Sequence, residues 1–419
     1  MNFKKSSKHI RQNRVRRWQA PLIVAVAAVL VGACSSSSKN SASGGGGVVN
    51  KGGNSSGDYV VGATLGLTGP LAEVSNGYRQ GIAAYFDSVN KAGGINGHKV
   101  KFIPLDDSDD VTTGVANARQ LVNSDHVSLM YYILSNIQAA NASFLAQNQV
   151  VTLSQAVDSG ILNPPQHLVF AGGVVEPDEA VPMLSFGESK LPHGAKGSKA
   201  AVIVGESAAL QQLATQLGKG AKARGMTVTS SQVVPFSSTD LSSEADTFAS
   251  QKPDIIYSGL ITTQEASFVR ALRQRGFTGP IVQYDGGSSY PLMKQLQDPR
   301  LYMLFSLSFG HNAGPQVGAM TAAATAAGTT ASAYFFPQGY VQAYITAQGL
   351  KKCGYPCPGS SLANGLESLG SIDTGGLTFG PWNYSKTDHS GIQDVAFFSW
   401  SGAKGDAVQD GGNFKIPSN

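Results

Sequence analysis

Charge is in short supply in this chain: Asp, Glu, Lys and Arg make up 14% of 419 residues. Cysteine is scarcer still, with three in all, Cys34, Cys353 and Cys357. None of the seven histidines lies near the last two in sequence, so a zinc site lacks ligands and no metal is expected. The metalloprotease string His-Glu-x-x-His is absent. The glycine run at 44–47 lacks the Gly-Lys-Ser/Thr ending that a phosphate loop needs, and no cofactor is implied. The apolar segment 20–33 falls short of the roughly 20 residues that a membrane-spanning helix takes.

What the N-terminus does contain is directional. Seven Lys/Arg and no acid fall in the first 17 residues (Lys4, Lys5, Lys8, Arg11, Arg14, Arg16, Arg17), followed by the uncharged apolar segment 20–33. That is the pattern of a secretory signal. It ends Val31-Gly32-Ala33-Cys34, an aliphatic residue, two small residues and a cysteine, and resembles the lipobox of bacterial lipoproteins. The resemblance implies cleavage after residue 34's predecessor and acylation of Cys34, with buried acyl chains worth about 0.8 kcal/mol per methylene holding the protein on the membrane. Without residues 1–34 the balance is 24 Lys/Arg against 27 Asp/Glu, so the formal charge of +4 is a targeting feature and no basic patch remains for nucleic acid. With Cys34 assigned to lipid, no cysteine is placed as a nucleophile, and the six later histidines read as turn and surface residues. Outside the cytoplasm Cys353 and Cys357 are free to form a local disulfide across Gly354 and Pro356.

Residues 35–58 have almost no apolar content and read as a flexible Gly/Ser-rich tether. From Tyr59 onward, β-branched runs at 59–67, 100–105, 127–134, 150–154, 200–205, 226–234, 255–259 and 280–284 alternate with helical patterns. Tyr78, Ile82, Phe86 and Val89 form one helical stripe, and Leu210, Leu213, Leu217 and Ala221 another; both predict core faces. Alternation of this kind builds parallel βαβ units, and the units fall into two groups, before about residue 176 and from about 199 to 290. The expectation is an α/β protein with two doubly wound parallel sheets. Such sheets bind ligands beyond the carboxyl ends of their strands, so two facing edges make a cleft.

Residues 62–70 (GATLGLTGP), a helix with Gly77 and Gly81, residues 90–100 (NKAGGINGHKV) and residues 105–110 (LDDSDD) occur in that order. Together they resemble the opening of the substrate-binding proteins of branched-chain amino acid ABC importers, the leucine/isoleucine/valine-binding family. Looser likeness continues through residues 197–286 and 380–384 as far as Asp406. The resemblance implies a type I periplasmic-binding fold with two lobes joined by three crossovers. Lobe 1 is expected from 59–176 and 308–388, lobe 2 from 177–307 and 389–410, and a C-terminal tail from 411–419.

It also implies the site. Thr68, Gly69 and Pro70 end a strand, where Gly69 lets backbone approach a ligand, although a plain turn reads as well. Ser135 and Asn136 follow the third strand, and Ser154, Ala156 and Asp158 follow the fourth, where the family holds a carboxylate with hydroxyls and backbone N–H groups. Asp158 stands where a Thr is expected, and an acid there would repel a carboxylate. Asp285 matches the acid that pairs the ligand's ammonium; a solvated loop residue or a helix cap is the alternative. Family aromatics are replaced by Val74, by Ile261 and within 208–210, which leaves the ligand's side chain open. Within Asp106 to Asp110, helix capping at Val111 is preferred over Ca²⁺ binding. The implied function is a membrane-anchored, extracytoplasmic solute-binding lipoprotein, a monomer that delivers a small molecule to ABC permease subunits. A sensing receptor that feeds no transporter is the alternative, and an anchored enzyme is the less favoured one.

Overall fold

The computed structural model describes residues 57–156, 159–162 and 165–417. The signal segment, Cys34, tether residues 35–56 and Asp158 lie outside the described residues.

Lobe 1 opens as strictly alternating units: β1 (Tyr59–Leu65), α1 (Ala72–Lys91), β2 (Val100–Asp106), α2 (Val111–Asn123), β3 (Leu129–Tyr132), α3 (Ser135–Gln147), β4 (Val151–Ser154), α4 (Ser159–Leu162) and β5 (Val169–Ala171). The five strands pair in parallel in the order β2-β1-β3-β4-β5. A 3-10 turn, Glu176–Glu179, leads to α5 (Ala180–Ser189) and the second lobe. There β6 (Lys199–Gly205), α6 (Ala208–Ala223), β7 (Thr227–Val234), α7 (Ser242–Gln251), β8 (Ile255–Gly259), α8 (Thr262–Gln274), β9 (Ile281–Gln283), α9 (Tyr290–Leu296) and β10 (Leu301–Phe305) repeat the rhythm. The chain then returns through α10 (Pro315–Ala326), α11 (Phe336–Cys353), α12 (Gly359–Glu367) and a small antiparallel sheet of β11 (Gly370–Ile372), β12 (Trp382–Ser385) and β13 (Asp388–Ile392). Finally β14 (Asp394–Ser401) and β15 (Asp406–Gln409) join the second sheet antiparallel, giving the order β15-β14-β10-β9-β8-β6-β7.

Every strand expected from the sequence is present, displaced by at most two residues at an end. The central strands β1, β3, β4 and β8 are buried along their whole length and read as largely apolar runs, whereas the edge strands β2 and β7 stay partly exposed. The helical stripes do what their spacing requires: Tyr78, Ile82 and Phe86 of α1 and Leu210, Leu213, Leu217 and Ala221 of α6 are buried. Each large side chain so buried contributes roughly 1.5–3 kcal/mol. Asp110 caps α2, its carboxylate accepting from the Thr113 N–H at 2.7 Å and hydroxyl at 2.8 Å.

The chain passes between lobes three times, at 176–179, after Phe305, and between β13 and β14. The last passage corrects the expected boundary at 388/389, which falls inside β13. That strand stays with lobe 1 because His389 Nδ1–H donates to the Val169 carbonyl (2.7 Å) and the ring stacks on Phe170 with centroids 4.0 Å apart. His389 is therefore a buried residue, not a surface one, and burial lowers its pKa. The expected tail is also partly structured: β16 (Phe414–Lys415) pairs with β14. Cys353 and Cys357 are joined by a disulfide at the end of α11.

Lobe 1 owes its tightest packing to glycine. Helices α1 and α11 approach so closely that a Cβ on Gly81 would lie 2.1 Å from the Phe336 carbonyl oxygen, and one on Gly339 would lie 1.9 Å from that of Tyr78. Backbone cannot yield as a side-chain tip can, so the helices would have to part. Alanine is the better helix former by about 1 kcal/mol, yet Gly339→Ala is expected to destabilise the protein by about 1–3 kcal/mol through overpacking. Chemical denaturation of the two proteins measures it, and a gain in stability would show that the helices separate freely.

Candidate functional site

A cavity of about 910 Å³ opens between the carboxyl edges of the two sheets. Lobe 1 lines it with Pro70 and Leu71 from the β1–α1 loop, Ser108 and Asp109 from the β2–α2 loop, and Leu134 and Asn136 around the start of α3. Lobe 2 faces these with Glu206, Ser207 and Ala208 at the end of β6, and with Phe236 and Ser237 after β7. The α6 side chains Gln211, Gln212, Thr215 and Gln216 extend that wall.

Two helices begin at the cavity, α3 from one lobe and α6 from the other. Each turns backbone N–H groups and the positive end of its dipole toward the space. Ser207 caps α6, accepting from the Leu210 N–H at 3.2 Å. At the start of α3, Asn136 Oδ1 accepts from the Ile137 N–H at 2.9 Å. Ser135, the first residue of α3, is only 4% exposed, and its hydroxyl has no hydrogen-bond partner. A buried hydroxyl left unpaired costs about 1–3 kcal/mol.

The loop around Gly69 is shaped from within lobe 1. Gly69 has φ +94°, a left-handed conformation that favours glycine, and a Cβ there would stand 3.1 Å from Asp109 Oδ2. Asp106 accepts from the Thr68 hydroxyl at 2.8 Å and from the Leu67 and Thr68 N–H groups at 2.9 and 3.2 Å. The Thr68 hydroxyl is thus committed to the end of β2. Asp109 accepts from the Leu71 N–H at 3.0 Å, and burial pushes it up to about 6, with Asp107 and Asp106 adding repulsion. Across the gap, Glu206 accepts from the Phe236 N–H at 2.9 Å. The Phe236 ring lies over Gly205, where a Cβ would meet it at 2.4 Å. Among the described residues no Lys or Arg lines the cavity.

Of the residues expected at the site, Pro70 and Asn136 line the cavity and Ser135 sits between two lining residues. Ser154 and Ala156 are engaged with the protein: the Ser154 hydroxyl donates to the Ala156 carbonyl at 2.9 Å, and the Ala156 N–H donates to Ile133 at 3.2 Å. Val74 and Ile261 are buried in the apolar core. Glu206, Phe236 and the glutamine face of α6 were not singled out in sequence, and Asp109 entered only within the acidic run Asp106 to Asp110. Their positions at strand ends were the available signal, since β2, β6 and β7 all end at this edge.

Asp285 is not among the residues lining the cavity. It is 2% exposed, and its two oxygens accept from the Ser306 N–H and hydroxyl, each at 2.8 Å. Its own N–H donates to Glu179 at 2.8 Å. Glu179 belongs to the first interlobe passage and Ser306 to the second, so Asp285 ties the two passages together. Glu176 is buried beside them with Oε2 unpartnered, and the Tyr334 hydroxyl reaches from the lobe 1 segment to the Gly286 carbonyl at 2.7 Å. Burial, with Asp285 adding repulsion, lifts Glu176 to about 8; burial lifts Glu179 as well, and Asp285 to about 6.

A carboxyl raised on folding stabilises the native state below its unfolded pKa, and that stability is lost as pH climbs through the folded value. For Glu176 the window runs from the ordinary 4.5 to about 8. Calorimetry is expected to show the melting temperature falling across this range, and Glu176→Gln is expected to flatten the fall. An unchanged slope in the variant would mean that Glu176 does not titrate there.

Residues 58–406 match the family described as "Periplasmic binding protein". The Leu/Ile/Val-binding protein BraC3 of Rhizobium johnstonii is 21% identical over 347 residues, covering 83% of this chain and 93% of that protein. Among solved structures, the fatty acid ABC transporter substrate-binding protein from Thermomonospora curvata superposes with a TM-score of 0.75 at 19% identity, covering 87% of this chain and 96% of that one. A branched chain amino acid ABC transporter structure from Thermus thermophilus, with bound valine, gives 0.77 at 13% identity over 85% and 97%. At these identities the structural likeness establishes the type I fold.

Proposed function

We propose, for a chain that belongs to the periplasmic binding protein family, that the space between its lobes captures a small polar solute and that lobe closure presents the solute to a membrane importer. The chain is a solute-binding protein of ABC transporters, acting outside the cytoplasm, and not an enzyme. The finer reading concerns how it holds its ligand and how it is kept at the membrane.

One observation carries the reading: the start of α3 faces the start of α6 across the cavity, with Asn136 lining the space and the buried Ser135 hydroxyl next to it without a partner. An acceptor oxygen of the solute, such as the carboxylate of an amino acid, takes the Ser135 O–H and the adjoining helix N–H groups. Asn136 and Pro70 close on it from lobe 1. Thr68 and Gly69 shape that loop, and Ser154 and Ala156 close the neighbouring one. In this reading Asp285 acts on the hinge: it does not line the cavity, and its two oxygens accept from Ser306. A solute touching both lobes binds the closed arrangement better than the open one, and that difference is what drives closure. A dissociation constant on the order of micromolar, roughly −8 kcal/mol, suits capture and release. One copy of the chain supplies both walls, so a monomer suffices.

Attachment to the membrane rests on Cys34, with residues 35–58 as the tether. Replacing Cys34 by Ser is expected to move the protein from the membrane fraction to the soluble fraction; retention in membranes would refute lipid anchoring. For the site, Ser135→Ala is expected to weaken the solute that most stabilises the full chain in a thermal-shift screen of amino acids, amides, short peptides and organic acids. The loss is about tenfold, the value of one hydrogen bond to a charged acceptor. Equal affinity in a titration of both proteins would remove Ser135 from the site.

A further inference from the structure

We propose that the cleft is built for a short peptide of about three residues rather than for a single amino acid, an inference that rests on the cleft reading above. The cavity, about 910 Å³, lies near the upper end of the roughly 300–1,000 Å³ that hold drug-sized molecules. A lone amino acid at the start of α3 would leave most of that space to water.

The shape of the lobe 2 wall sets the length. Lining residues run along α6 from Ala208 to Gln216, eight steps of helix. At about 1.5 Å per step this is roughly 12 Å. An extended chain advances about 3.3–3.6 Å per residue, so three to four residues span it.

The chemistry of the wall sets the class. Gln211, Gln212 and Gln216 stand on α6, with Asn136 opposite. A primary amide offers both donors and an acceptor, which is the complement of the N–H and C=O of a peptide unit. Gln211 Nε2 donates to the Glu206 carbonyl at 3.0 Å, leaving its own carbonyl oxygen to accept from a ligand N–H. Phe236, half-buried over Gly205, offers an apolar surface to one side chain of the peptide. With no Lys or Arg among the described lining residues, a second anionic group on the ligand finds no counter-charge. The peptide's carboxylate takes the start of α3, and its amides run along α6.

Isothermal titration of the full-length chain, solubilised in mild detergent, with trialanine, trileucine and leucine tests the assignment. A tripeptide is expected to bind at least tenfold more tightly than leucine. Gln216→Ala, at an exposed position that folding does not depend on, is expected to weaken tripeptide binding three- to tenfold and leave leucine binding unchanged. Leucine binding as tightly as either peptide overturns the assignment, and so does an unaltered peptide affinity in the variant. Binding of leucine, or of another small solute, without peptide binding leaves the cleft reading intact and sinks this one. Peptide binding that is insensitive to Ser135→Ala and Gln216→Ala alike overturns both.

Discussion

A parallel sheet has a direction, and everything at this site follows from it. All five strands of lobe 1 end at one edge, and β6 to β9 of lobe 2 end at another. At such an edge the chain must turn into a helix, so backbone N–H groups that no helix can satisfy collect there. In this protein the edges face each other. α3 and α6 therefore begin on opposite sides of one cavity, and polar recognition is possible without a single lysine or arginine among the described lining residues.

The same geometry explains why the buried acids lie elsewhere. Glu176, Glu179 and Asp285 sit where the chain crosses between lobes, not at the strand-edge cavity. There, carboxylates hold backbone across two crossing segments, Glu179 through the Asp285 N–H and Asp285 through Ser306. No cation faces them in the contacts of these three groups, and burial raises all three above the ordinary carboxylate range, Glu176 to about 8 and Asp285 to about 6. A residue matched by resemblance to ligand recognition thus sits in a position suited to holding the hinge.

Rigidity has a separate source. The close approach of α1 and α11 through Gly81 and Gly339 makes the returning segment an integral part of lobe 1. His389, stacked on Phe170 and bonded to Val169, extends that attachment to β13. A lobe assembled from distant stretches of chain is thereby tied together across its whole width.

Much of this was determined by the amino-acid sequence alone. Apolar runs of strand length, separated by helical stripes such as Leu210, Leu213 and Leu217, are local patterns, and local patterns specify a parallel α/β layout because few arrangements bury both. That the start of α3 lies at the strand edge was legible for the same reason, since Ser135 comes three residues after β3. What only the tertiary structure decided was partnership between residues far apart in the chain. Thr68 spends its hydroxyl on Asp106, Asp285 spends its carboxylate on Ser306, and Phe236 finds its bed on Gly205 through contacts that no spacing encodes. Whether a polar group is free for a ligand depends on which neighbour reaches it first in three dimensions, and that is settled only when the sheets are packed.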